Sequence, residues 1–414
     1  MRDRKPQRLD QLGTVARGKS RHRPRNDPAL YGGLWPFFQT GDVKAADLYL
    51  RAFTQTYSDV GLAQSKLWPA GTLCITIAAN IADTAILGIP GCFPDSVVGF
   101  IADPAKSDAR FIKYYIEILK QGMQNASRGT TQDNLSVDKL LTFDFVVPSA
   151  QQQCEIASIL SAYDDLIENN TRRIAILEEM ARRIYEEWFV RFRFPGHEGV
   201  RMVEAKLGLV PEGWRVVPAS TAIEINPTTK VPKDGLKPFL AMNRLSDVSM
   251  LIDSPGDREG NSGSKFRNRD TLFSRITPCL QNGKTGFVQF LPDDATPAFG
   301  STEFIVLRSR TLTPEFVYLL ARSDAFRDNA IKSMSGASGR QRVREACFNT
   351  FLIANPDRAT LSRFKALVRP MFKLVHTLAR KNTNLRTTRD LLLPKLISGE
   401  LDVSALPEPK ALTA

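Results

Sequence analysis

This 414-residue chain has few of the residues from which active sites are usually built. Its only histidines, His22, His197 and His376, lie far apart, which leaves little for a metal site. Its five cysteines (Cys74, Cys92, Cys154, Cys279, Cys347) are odd in number and dispersed, with no Cys-x-x-Cys pair. They read as reduced packing residues of a cytoplasmic protein, not as a disulfide or zinc framework. No apolar run approaches the roughly 18 residues that span a bilayer. The most apolar stretch, Gly71 to Phe100, is interrupted by Asn80, Asp83 and Asp95. The first residues, Met-Arg-Asp-Arg-Lys-Pro, have no apolar core behind their charges, so a secretory signal is not expected.

Catalytic signatures are missing too. There is no His-Glu-x-x-His, no Gly-x-Ser-x-Gly and no Asn/Asp-Pro-Pro-aromatic methyltransferase motif. No nuclease pattern of the Pro-Asp…Glu-x-Lys kind is found. Asn282-Gly-Lys-Thr285 resembles the end of a phosphate-binding loop, but Pro278 stands where the first glycine is required. The paired acids Asp164-Asp165, Glu178-Glu179 and Glu186-Glu187 are expected on solvated helix faces. No catalytic residue, metal site or bound cofactor is predicted for the chain.

What is present is a repeat. Pro148 returns as Pro356, 208 positions later, and each opens a series stepping by alternating fours and threes. The first runs Ile156, Leu160, Tyr163, Ile167, Asn170, Ile174, Leu177, Ala181, Ile184, Trp188. The second runs Phe364, Val368, Met371, Val375, Leu378, Asn382, Leu385, Arg389, Leu392, Leu396. A 3.5-residue spacing is that of a seam between helices. Each helix would cover roughly 40 residues, about 60 Å. The seam asparagines are not equivalent: Asn170 aligns with Leu378, and Asn382 with Ile174. A parallel pair would set each amide against an aliphatic side chain, whereas an antiparallel pair would set Asn170 opposite Asn382 and fix the register. The predicted interface is therefore antiparallel and built from Ile156, Leu160, Ile167, Asn170, Leu177 and Ile184 with Phe364, Val368, Val375, Asn382, Leu385 and Leu392. Charge agrees. Residues 148–195 carry −2 and residues 354–414 carry +6, while the stretches 1–147 and 196–353 carry +4 each, within a total of +12.

The remainder of each half reads as mixed and strand-rich. Strands are predicted around Gly71–Ile77, Val97–Ile101, Gly213–Pro218, Asp270–Ile276 and Phe304–Leu307, and helices near Phe111–Lys120 and Pro314–Ala330. The fold class is α+β: two mixed α/β domains separated by a long antiparallel two-helix coiled coil, with a pseudo-two-fold internal repeat. Boundaries are set at 1–147 and 195–353 for the domains, 148–194 and 354–399 for the helices, and 400–414 for a tail.

A basic chain points to an anionic partner, and its loops suit duplex DNA. Lys19, Arg21, Arg23 and Arg25 lie in one short basic segment, and Lys265, Arg267 and Arg269 alternate in another. Arg128, Thr130, Gln132 and Asn134 recur in kind as Arg340, Gln341 and Arg342 in the second half, with Arg275, Asn282 and Lys284 nearby in sequence. Arginine reads guanine, and glutamine or asparagine reads adenine, in the major groove. The remaining cations hold phosphates. The two loops differ strongly, so an asymmetric site is expected. RNA is disfavoured because the loops lack stacking aromatics. A stand-alone two-headed DNA-binding regulator and a coiled-coil adaptor are the alternatives.

The helical regions carry a family resemblance. Pro148-Ser-Ala-Gln-Gln-Gln-x-x-Ile156-Ala-x-x-Leu160, Asp164-x-x-Ile167, Leu177-x-x-x-Ala-x-x-Ile184-Tyr185-x-x-Trp188-Phe189 and Leu385-x-x-x-Arg389-Asp-Leu-Leu-Leu-Pro-Lys-Leu-Ile-Ser-Gly-Glu-Leu401 resemble the specificity subunits of type I restriction–modification systems. Gln152-Gln153 stands where that family usually has Glu-Gln. The resemblance implies two target-recognition domains that read a split double-stranded DNA site, and helices that dock two methylation subunits, with restriction/motor subunits joining them. S-adenosylmethionine would sit in the methylation subunits and ATP with magnesium in the restriction subunits. This chain would turn nothing over. Changes at exposed seam positions near Trp188 or Leu396 are expected to impair assembly.

Overall fold

The computed structural model describes residues 5–127, 134–337 and 339–403. The chain forms two compact units: Met1–Asn169 with Asn382–Ala414, and Asn170–Lys381.

The first unit is built on a five-stranded sheet in the order Gly13–Arg17, Val97–Ala102, Leu73–Thr76, Thr84–Leu87, Tyr49–Leu50. Every pair is antiparallel except the last. The central strand Leu73–Thr76 is buried along its whole length because both faces are covered. Leu73 and Ile75 join Phe111, Ile112, Tyr114 and Ile116 of the helix Ala109–Ser127. Cys74 points the other way, into Trp68 and Phe93, as the two-residue period of a strand requires. Gly99 on the neighbouring strand permits this: a Cβ there would lie 2.6 Å from the Trp68 ring.

The second unit repeats the plan. Its sheet runs Ile223–Ile225, Phe304–Ser309, Thr271–Ser274, Thr285–Phe287, all antiparallel. This matches four of the five strands above in order and sense. Phe273, Ile305 and Leu307 face one core, and Leu272, Phe304 and Val306 face the other. The second unit also carries a four-stranded sheet absent from the sequence reading: Gly256–Arg258, Lys237–Leu240, Ala298–Gly300, Ser264–Phe266. Its strands are three or four residues long, too short to show a period. The helix expected near Pro314–Ala330 is two, Pro314–Arg322 and Asp324–Lys332. Ser323 ends the first, and its Oγ accepts from the Phe326 N–H to cap the second.

The long helices are Ala150–Tyr185, continued by a π-turn over Glu186–Val190, and Arg358–Ser398. Each starts one residue after the repeated proline and its capping neighbour. Ser149 Oγ accepts from the Gln152 N–H at 3.3 Å, and Asp357 Oδ1 from the Thr360 N–H at 2.9 Å. Gln153 is fully buried, and its amide donates to the carbonyls of Lys106 and Pro148, tying the first helix to its sheet. In the first unit Ile156 and Leu160 share a core with Leu393, Leu396 and Ile397. In the second, Ala181, Tyr185 and Trp188 share one with Phe364 and Val368. In the first unit Asp164 meets Arg389 and Ile167 meets Asn382, so the two helical segments there run antiparallel. Asn170 and Asn382 are both buried, and Asn382 Nδ2 donates to the Ile167 carbonyl at 3.3 Å.

Trp188 and Leu396 are 8% and 3% exposed and belong to cores, while their neighbours Val190 and Leu391 are exposed. Two expectations are corrected. Asp164 and Glu178 are not solvated charge. Asp164 is 1% exposed between the Tyr114 hydroxyl and the Arg389 guanidinium. Glu178 accepts from the Met250 N–H at 2.6 Å and the Ser249 hydroxyl at 2.7 Å. These partners lie tens to hundreds of residues away in the chain, beyond any local pattern.

Burial pushes the Glu178 carboxyl above its ordinary value of 4.5, outweighing those two donors. The folded state then holds a proton at pH values where the unfolded chain has lost it, so this site's contribution to stability falls as pH rises through that window. Glu178→Gln keeps an acceptor and carries no charge. It is expected to melt at or above the wild-type temperature at neutral pH, with the advantage vanishing below pH 4.5. Melting curves on both sides of that value decide it, and a variant destabilised only at neutral pH would contradict the assignment.

Candidate nucleic-acid interface

In each unit the polar loop returns to the same place, the residues just after the central strand. Ala78 bridges to Asn134 in the first unit and Ile276 to Arg342 in the second. The Leu135 N–H donates to the Ile77 carbonyl, and the Val343 N–H to the Arg275 carbonyl, both at 2.9 Å. The segment after the strand is fixed from its other side as well: the Ile77 N–H donates to the Ser96 carbonyl, and the Arg275 N–H to the Glu303 carbonyl. The two loops thus meet equivalent ends of equivalent sheets.

In the first unit the basic segment gathers at that end. Arg17 pairs in register with Val98, and the Gly18 N–H donates to the Val97 carbonyl, which carries Lys19 to Arg25 past the Pro94–Ser96 turn. Lys19, Arg21, Arg23 and Arg25 are all exposed. Arg25 forms an ion pair with Asp95 at 2.8 Å, and Arg23 donates to the carbonyls of Ser20 and His22. Arg128, Thr130 and Gln132 lie outside the described residues; Asn134 lies within them.

In the second unit Arg275, Arg340, Gln341 and Arg342 converge, with the turn bearing Asn282 and Lys284 alongside. The Thr277 N–H donates to the Gln341 carbonyl at 3.1 Å, and the Ser274 N–H to the Lys284 carbonyl at 3.2 Å. Lys265, Arg267 and Arg269 do not join them. Arg267 and Arg269 lie in the turn that leads into the strand Thr271–Ser274, at its opposite end. Lys265 follows Ser264, whose hydroxyl donates to the carbonyl of Phe304, the partner of Ser274, and so lies on a neighbouring strand nearer the loop. The sequence placed both groups near one strand but could not say at which end.

The structure also shows charge compensation that spacing did not reveal. Glu303 grips Arg342 through both carboxylate oxygens, at 3.0 and 2.7 Å, and raises its guanidinium pKa. Arg275 pairs with Glu345 at 3.0 Å and Arg269 with Asp294 at 2.6 Å. Among the described residues no ion pair holds Lys19, Arg21, Arg23, Lys265, Arg267, Lys284 or Arg340. Those cations are free to meet phosphates, while the paired arginines would have to exchange a carboxylate for a nucleic-acid group. No group of three or more His, Cys, Asp or Glu residues placed to hold a metal occurs among the described residues. Nor is any described helix long and apolar enough to cross a membrane.

Residues 1–179 match the family model described as the type I restriction modification DNA specificity domain. Over 417 aligned residues the chain is 23% identical to the type I restriction enzyme MjaIX specificity subunit of Methanocaldococcus jannaschii, covering 96% of this chain and 94% of that one. It is 22% identical to the HindI specificity subunit of Haemophilus influenzae, over 66% of this chain and 72% of that one. The crystal structure of the type I restriction–modification S subunit of M. genitalium has the same fold, with a TM-score of 0.61 at 14% identity over 95% of both chains. Residues 1–179 thus match the DNA specificity domain of type I restriction–modification systems, and the chain is similar over nearly its full length to a specificity subunit of such a system.

Proposed function

We propose that this chain reads a split, asymmetric double-stranded DNA site, one half per unit, and holds the enzymatic subunits of its system in place. The observation that carries this reading is the recurrence of a polar loop at the same end of the same sheet in both units, with different side chains each time. Gln132, Asn134, Arg340, Gln341 and Arg342, with Arg128, Thr130, Arg275 and Asn282, are assigned to base edges and nearby phosphates. Lys19, Arg21, Arg23, Arg25 and Lys284 would hold phosphates and set the register. Arg267 and Arg269 would act only on a path of DNA reaching the other end of the strand, and Lys265 would hold phosphate.

In this reading the helices Ala150–Tyr185 and Arg358–Ser398 form one antiparallel pair that sets the gap between the half-sites. Two half-sites on one face of a duplex lie roughly 34 Å apart. Helix faces left exposed and apolar, such as Ile176 with Met180, would dock the two methylation subunits, and restriction/motor subunits would follow. S-adenosylmethionine and ATP with magnesium would be held by those subunits in a cytoplasmic complex.

The test is a methylation map of DNA modified by the assembled complex. A split motif that depends on this gene is expected. Four residues inserted into one long helix lengthen it by about 6 Å and should favour a gap one or two base pairs longer. A motif with an unchanged gap would remove the ruler. No motif at all would remove the DNA reading and favour an adaptor.

A further inference from the structure

The reading end of the first unit carries one more element, the loop Ile77–Asp83 that follows the central strand. Ala79 and Ala82 hold φ of 63° and 60°, the left-handed region that residues with a Cβ rarely occupy. Such a backbone persists only where its surroundings over-determine it. Here the Ala82 N–H donates to the Thr76 carbonyl at 2.9 Å, the Asp83 N–H to Thr76 Oγ1 at 3.0 Å, and the Thr76 hydroxyl to the Asn80 carbonyl. From the helix Ala109–Ser127, Gln124 donates to the Ile81 carbonyl at 3.2 Å and Lys120 pairs with Asp83 at 2.5 Å. The returning loop clamps Ile77 and Ala78. Out of this rigid base Ala79 stands exposed, with Asn80 half-buried beside it.

Asparagine in a loop commonly adopts the left-handed conformation itself or bonds its own backbone. Asn80 does neither: alanines occupy the strained positions. Among the described residues, its side chain meets only Lys44, whose exposed ammonium donates to Asn80 Oδ1 at 3.2 Å. The amide is thus aimed by a cation and otherwise unspent.

We propose that Asn80 is a base-reading residue of the first half-site, presenting its amide to the major-groove edge of an adenine, with Lys44 orienting it and contacting the adjacent phosphate. This rests on the DNA-recognition reading above. Nδ2 supplies the donor for adenine N7, and the second lone pair of Oδ1 supplies the acceptor for N6. The over-determined loop supplies the rigidity that such a contact needs.

The test uses the full chain in its assembled methylation complex. The modified motif is mapped for the wild type and for Asn80→Ala, Asn80→Asp and Lys44→Ala. Asn80→Ala is expected to relax one A·T position in one half-site, with discrimination there falling roughly 5- to 150-fold, while the other half-site, the gap and the melting temperature stay unchanged. Asn80→Asp, which keeps the shape but loses the donor, should relax the same position. Lys44→Ala should weaken binding to every duplex, lower the salt slope by about 0.9, and relax the same A·T position less than Asn80→Ala does. A wild-type complex that modifies a split motif, beside an Asn80→Ala complex equally stringent at every position, overturns this inference alone. A wild-type complex that modifies no split motif overturns the DNA reading and this inference together.

Discussion

Replacing Arg389 by alanine is expected to destabilise the first unit by about 3–5 kcal/mol, because it strands a buried carboxylate. Asp164 sits on the helix Ala150–Tyr185 with its side chain 1% exposed, and Arg389 on the helix Arg358–Ser398 reaches it with 18% exposure. The fully buried Tyr114 hydroxyl donates to the other carboxylate oxygen, and burial and the neighbouring Asp164 drive the phenol pKa strongly upward. One network therefore joins the sheet-covering helix to both long helices. The Arg389–Asp390 pair offers no substitute, since Asp390 is 60% exposed and such pairs contribute about 0–1 kcal/mol. Denaturant unfolding of Arg389→Ala, Asp164→Asn and the double variant checks it. The single losses should not add, because removing the arginine matters most while the charge remains. Additive losses would mean that the pair is not coupled.

The second unit shows that the fold does not require this charge. Stepping 208 positions carries Asp164 to Phe372 and Ala181 to Arg389. Tyr318 packs against Phe372 with ring centroids 5.7 Å apart, so an aromatic contact stands where the first unit has a carboxylate. The second large effect is expected in this apolar core. Phe364→Ala should cost about 3–5 kcal/mol. Phe364 is fully buried, with its ring 4.8 Å from Phe189, 5.9 Å from Trp188 and 6.2 Å from Phe316. Removing it leaves a hole among rings that cannot shift without breaking their own edge contacts. Loss of near-ultraviolet dichroism together with a lowered unfolding midpoint would confirm it. A small change, with collapse of the site, would show that the cluster repacks.

Much of this was legible in the residues because it is periodic or repeated. The seam positions Ile156, Leu160, Ile167, Phe364, Val368 and Val375 are buried as their spacing requires. The central strands fall where apolar runs predicted them. The short sheet around Lys237–Leu240 left no period to read. Neither did the pairings of Arg342 with Glu303 or Arg25 with Asp95, which join residues 39 and 70 positions apart.

The two like halves, each with a seam helix, and the polar loops suited to DNA follow from the order of residues alone. A 208-residue echo and a 3.5-residue step are properties of the string. The tertiary structure alone decided which candidate cations share an end of a strand, which arginines already hold a carboxylate, and that Asp164 and Glu178 lie inside. Those facts depend on distances between residues far apart in the chain, set only once the sheets and helices close on their cores.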